Sequence, residues 1–117
     1  MITLYGIKNC DTMKKARTWL EGHGVPYEFH DYKLAGIDRA RLTRWASEVG
    51  WETLLNRSGT TYRKLPDTQK TDLDEPRAIA LMIAQPSLIK RPVLQLPDRI
   101  LVGFKPEMYA SALPHGG

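Results

Sequence analysis

The chain has a single cysteine, Cys10, among 117 residues. An internal disulfide is therefore excluded, and one cysteine with His23, His30 and His115 offers no zinc-ligand spacing. No apolar run is long enough to span a bilayer. No basic segment followed by a long apolar one stands behind Met1, so the expectation is a protein of the reducing cytoplasm, without membrane contact. Walker and dinucleotide glycine patterns are missing, as are internal repeats and low-complexity stretches. Charge of one sign is also scarce: the net value is +4, with both signs spread along the chain. That balance favours anionic partners without marking a nucleic-acid binder. The length suits one domain with a real core.

What is present is concentrated around Cys10. Residues 2–5 have the β-branched and aromatic character of a short strand, and Gly6 is expected to break it. Met13, Ala16, Trp19 and Leu20 then recur at helical spacing, so a helix is predicted over 11–21, with Asn9 and Asp11 as good capping types. Cys10 falls in the strand-to-helix turn. A helix N-terminus presents unpaired amide donors and the positive end of its dipole. Both stabilise a thiolate, so the thiol is expected to ionise below the range of a free cysteine. Lys8, Lys14 and Lys15 add positive charge, and Asp11 opposes them. The same donors can hold an oxyanion, and a cysteine beside an anion cradle points to a nucleophile. A lone cysteine is commonly a small buried hydrophobe instead; the polar neighbours Asn9 and Asp11 argue against that here.

Farther along, Gly22-His23-Gly24 closes the helix, and 25–30 alternates as a second strand with Pro26 at its start. A compact strand–helix–strand unit implies two parallel strands. A helix over 38–49 is expected, capped by Asp38, with Leu42, Trp45, Ala46 and Val49 as its apolar stripe. A short amphipathic piece follows at 51–55. Residues 56–65 form a polar loop in which basic and hydroxyl groups either contact an anion or are simply solvated. A turn is expected at 66–71. A further helix over 73–84 has Asp72 or Asp74 as its cap and Pro76 in its first turn, and Ile79 to Ile83 supply its buried side. Strands over 93–96 and 99–102 pair antiparallel around Pro97-Asp98, and a last helix covers 107–113, with fraying from Pro114 onward. The outer parts read β-α-β and β-β-α. The fold class is α/β: a thioredoxin-like mixed four-stranded sheet in a single domain over 1–117, with residues from about 33 to 85 as a helical insertion.

Three motifs carry a resemblance to a known family. Tyr5-Gly6-Ile7-Lys8-Asn9-Cys10-Asp11-Thr12, with Lys14-Lys15-Ala16 behind it, resembles the arsenate reductase and Spx superfamily. Pro86-Ser87-Leu88-Ile89-Lys90-Arg91-Pro92 and Val102-Gly103-Phe104-Lys105-Pro106 match its other two signatures. The sequence is most similar to the YffB branch, small proteins proposed to act as glutathione-dependent thiol reductases. The resemblance implies that Cys10 is the nucleophile and that Arg91 steadies the thiolate and any oxyanion. It also implies that Pro92 is a cis proline shaping the site, and that Lys105 faces the cysteine where arsenate reductases usually carry arginine. Lysine lacks the bidentate fork of arginine on an oxyanion. A family arginine of the middle region aligns with Asn56, leaving Arg57 one position on.

Lys8, Asn9, Asp11, Thr12, Arg57, Pro92 and Lys105 are thus the expected binding residues around Cys10 and Arg91. Spx regulators commonly carry Cys-x-x-Cys, and Met13 stands at the second position here. A monothiol of this kind needs a resolving thiol from outside, and glutathione is the expected co-substrate, with no bound cofactor. The alternatives implied are a glutaredoxin-coupled arsenate reductase and a non-catalytic regulator that contacts RNA polymerase as Spx proteins do.

Overall fold

The structure, a computed structural model, describes residues 2–113. In chain order its elements are β1 (Thr3–Gly6), α1 (Asp11–Gly22), β2 (Glu28–Asp31), α2 (Tyr32–Ala35), α3 (Arg39–Val49), α4 (Trp51–Leu54), α5 (Thr60–Arg63), α6 (Asp67–Lys70), α7 (Glu75–Ala84), a 3-10 turn (Pro86–Leu88), β3 (Val93–Gln95), β4 (Ile100–Val102) and α8 (Pro106–Ala112). They fall into two compact units. One is built from the chain up to Asp31 and from Arg91 onward; the other is Tyr32–Lys90. The expectation was one domain over 1–117 with residues from about 33 to 85 inserted in it; by contacts the chain divides into two units, and that stretch lies inside the second.

The first unit is organised on a four-stranded sheet of order β2-β1-β3-β4. The β1–β2 pair is parallel, with Leu4 opposite Phe29, as a helical crossover requires. β3 runs antiparallel to both β1 and β4, with Leu4 opposite Leu94 and Leu94 opposite Leu101. This is the mixed thioredoxin-like sheet read from the sequence. Met13, Ala16 and Leu20 of α1 are buried against Leu4, Leu94 and Tyr109. Their spacing of three and four residues puts them on one helical face.

Several local expectations shift. Gly6 does not break β1 but ends it as a paired residue opposite Asp31. The first strand therefore sits one residue later than read, and β2 starts at Glu28, leaving Pro26 outside it. Cys10 itself is the N-cap of α1, with extended backbone and no side-chain capping bond. Asn9 and Asp11 flank that position without filling it. The fraying expected from Pro114 onward lies outside the described residues.

The second unit is helical. Its caps were readable: the Asp38 carboxylate accepts the Arg41 amide at 2.7 Å, and Asp74 accepts the Arg77 amide at 3.0 Å. α3 packs on α4 and α7 through Leu42, Trp45, Leu54, Ile79 and Met82, all buried. On α7 the buried residues are Ala78, Ile79 and Met82. Ala80 is exposed and Leu81 and Ile83 are half-buried, because a continuous apolar run cannot place every member on one helical face. The segment read as loop and turn contains α5 and α6, and α2 was not expected. Each of these three helices has four residues, about a single turn. Replacing Asp38 with alanine removes one amide acceptor at a helix start and should lower stability by about 1 kcal/mol, read as a lower urea midpoint at unchanged slope.

Candidate functional site

β1 and α1 are joined by Ile7, Lys8, Asn9 and Cys10, and the turn is held from below. Ile7 is buried while Lys8 and Asn9 are exposed. The Lys14 amide donates to the Cys10 carbonyl at 3.0 Å, closing the first turn of α1 on the cysteine. The thiol is half-buried and free. Burial raises its pKa, but the nearby backbone amides of Met13 and Thr12 lower it, as do the hydrogen bond and the charge of the Arg91 guanidinium. Together these donors outweigh burial and hold the thiol below its ordinary range.

Arg91 comes from the far end of the chain. The Arg91–Pro92 peptide is cis, Pro92 is buried, and its carbonyl accepts the Gly103 amide at 2.8 Å. β3 begins at the next residue and pairs with β1, the strand that leads to Cys10. Strand pairing therefore carries Arg91 to the thiol. The cis bond expected at Pro92 is present.

The other expected site residues divide by position. Thr12 joins the thiol through its main chain. Asp11, exposed, is an acidic residue in the first turn of α1, where the helix dipole favours it. Lys8 and Asn9 are exposed on the turn, and Lys105 is the exposed N-cap of α8. Neither lysine is among the groups that shift the thiol. Arg57 belongs to the second unit, where its guanidinium lies 5.7 Å from the centre of the Trp51 ring. The Asn56 carboxamide accepts the Ser58 hydroxyl at 3.0 Å in the same unit.

Sequence reasoning missed the contribution of Met13. It was read as one of the apolar residues at helical spacing and as standing in place of a second cysteine, yet its amide also helps to lower the thiol pKa. A side chain three residues after the N-cap says nothing about its amide until the cap is located. Among the described residues, no group of three or more His, Cys, Asp or Glu side chains is placed to hold a metal ion. No helix there is long and apolar enough to cross a membrane.

This arrangement has counterparts in known proteins. Residues 5–112 match the ArsC family. A solved structure of a protein named YffB is 67% identical, with a TM-score of 0.95, and the match covers 97% of this chain and all of that one. An arsenate reductase (ArsC) related protein from Brucella melitensis is 56% identical, with a TM-score of 0.76 over 95% of this chain and 92% of its own. The global transcriptional regulator Spx of Streptococcus mutans is 29% identical over 97% of this chain and 84% of its own. The three motifs around Cys10, Arg91 and Lys105 and the sheet that joins them agree with these matches: the chain belongs to the ArsC family.

Proposed function

We propose that this protein is a single-cysteine thiol–disulfide reductase that uses glutathione as its resolving thiol. The observation that carries the reading is the half-buried Cys10 thiol, held below its ordinary pKa by the Met13 and Thr12 amides and by Arg91. Met13 occupies the position a second cysteine would need, so the protein has no internal resolving group.

The chemistry balances with two glutathione moieties. The Cys10 thiolate attacks the glutathione sulfur of a mixed disulfide. The S–S bond breaks, the substrate leaves as a thiolate that takes a proton from water, and Cys10 carries glutathione. A second glutathione, as its thiolate, attacks that sulfur. Glutathione disulfide leaves, Cys10 returns as a thiolate, and two electrons have passed to the substrate. The amides and Arg91 serve twice, since Cys10 is nucleophile in the first step and leaving group in the second. A lowered pKa speeds departure and keeps the attacking form populated.

The test supplies a glutathione mixed disulfide of a small thiol, with glutathione, glutathione reductase and NADPH. Turnover is expected, with one glutathione trapped on Cys10 when free glutathione is withheld. No turnover and no adduct would overturn the reading. The likeness to the Brucella protein supports a second reading, in which Cys10 attacks arsenic and Arg91 holds the oxyanion. Arsenite released from arsenate, glutathione and glutaredoxin, with no mixed-disulfide turnover, would carry that reading over the first.

A further inference from the structure

A groove of about 440 Å³ opens between α1 and the start of α8, lined by Lys14, Lys15, Thr18, Trp19, Phe104 and Pro106. Its floor is aromatic and braced. The Tyr109 ring meets Trp19 edge-on at 5.6 Å and Phe104 at 4.8 Å, and Tyr109 is fully buried. The His23 ring stacks on Trp19 at 3.9 Å, and His23 Nδ1 lies 2.8 Å from the Trp19 carbonyl oxygen. Trp19 is thus fixed by two neighbours, and the groove exists before anything enters it. A preformed apolar floor spares a ligand the cost of ordering it.

The rim is basic. Lys14 and Lys15 line one side, Lys105 stands between Phe104 and Pro106 on the other, and Lys8 is on the turn before Cys10; all four are exposed. The carboxylates on these segments are Asp11 and Glu107, so lysines outnumber them two to one. Four of the lining residues stand on α1, the helix that Cys10 caps. Lys14 follows Cys10 by four residues and bonds its carbonyl, and Thr18 follows Lys14 by four more. That spacing runs down one helical face.

We propose that this groove docks an acidic peptide segment bearing an apolar side chain, part of a protein whose cysteine meets Cys10. The apolar side chain would lie on Trp19 and Phe104, and its acidic neighbours would face Lys14, Lys15 and Lys105. The inference deepens the reductase reading and rests on it for what happens to the docked cysteine. It adds a substrate class: disulfides on acidic protein segments, in preference to basic ones. Charge complementarity of this kind sets partner choice and encounter rate more than final affinity.

The experiment titrates Cys10→Ser protein, which cannot react, with two peptides. One has an acidic run around a leucine and a cysteine; the other has lysine at each glutamate. The Trp19 indole resonance is followed by NMR. The acidic peptide should move it and bind about tenfold or more tightly than its basic counterpart. Added salt should reduce the difference, and Lys14→Glu with Lys15→Glu should reverse the order. Should that double variant fail to fold, Lys14→Ala with Lys15→Ala should still remove most of the preference. Equal binding of the two peptides, or an unmoved Trp19, overturns the proposal. The two failures separate cleanly. If charge-selective binding occurs but wild-type protein turns over no glutathione mixed disulfide, the reductase reading falls and the docking groove remains. If mixed disulfide is turned over without charge preference, the groove falls and the chemistry remains.

Discussion

Arg91→Ala should slow alkylation of Cys10 in mildly acidic solution and quicken it in alkaline solution, so that the two pH profiles cross. The argument has two opposing parts. Arg91 lowers the thiol pKa through a hydrogen bond and its charge, so its removal shrinks the thiolate fraction at any pH below the pKa. The thiolate that remains is more basic and intrinsically more nucleophilic. With a Brønsted coefficient near one half, each unit of upward movement slows the reaction about threefold on the acid side and quickens it about threefold once both proteins are fully ionised. A mutation that merely loosened the fold would expose the thiol and quicken reaction across the range. Arg91→Lys keeps the charge and loses the fork, so its profile should fall between the others. The same change alters stability with a fixed sign. A thiol whose folded pKa is depressed lends stability that is complete above the unfolded thiol's pKa and is lost as pH falls through the folded value. The gap in stability between wild type and Arg91→Ala should therefore widen as pH rises across that window. Profiles that superimpose would mean that Arg91 does not act on the thiol.

The second large effect is expected from Gly6→Ala, at a position that touches no substrate. A Cβ built on Gly6 would stand 2.2 Å from the Met13 sulfur and 2.6 Å from its methyl carbon. Gly6 has an ordinary negative φ, so glycine is needed there for space and not for conformation. Met13 is fully buried and cannot swing into solvent, so the added methyl should cost about 1–3 kcal/mol as overpacking. The melting temperature should drop by several degrees. Because the Met13 amide helps to lower the thiol pKa, displacement of this residue should raise the Cys10 pKa as well. Met13→Ala alone should cost about 2–5 kcal/mol through the void it leaves. The double variant should lose less than the sum of the two, since the alanine methyl would occupy part of that void. A Gly6→Ala protein as stable as wild type would mean that Met13 turns aside without cost.

What could be read from the sequence was whatever depended on neighbours along the chain. The apolar spacing of Met13, Ala16 and Leu20 gave α1, Asp38 gave the start of α3, and the start of α7 was narrowed to Asp72 or Asp74, of which Asp74 is the cap. Cys10 could be set at a helix start because a strand-like run and a helix-like run meet there. The short helices α2, α5 and α6 escaped, since a single turn is too brief to show a period of 3.6. Gly6 was mistaken for a breaker because its value lies in Met13, a residue it meets only once α1 folds back onto β1. Arg91 became legible beside Cys10 only through the family motif, because β3 reaches β1 across most of the chain. That amides of a helix start would favour the thiolate was foreseen, but which amides they are shows only once Cys10 is known to be the N-cap.

The pairing of β1 with β3 also has a consequence for the protein while it is being made. Thr3 finds its partner in Gln95, so the middle of the sheet cannot close until the segment that holds Gln95 has left the ribosome. Contacts so distant in sequence form late. Cys10 is made well before Arg91, and until then it lacks that guanidinium. The nascent chain thus carries a less acidic thiol, with less thiolate exposed to oxidants or to glutathione disulfide. The lowered thiol pKa is completed only when β3 pairs with β1, which ties the ionisation of Cys10 to the joining of distant segments.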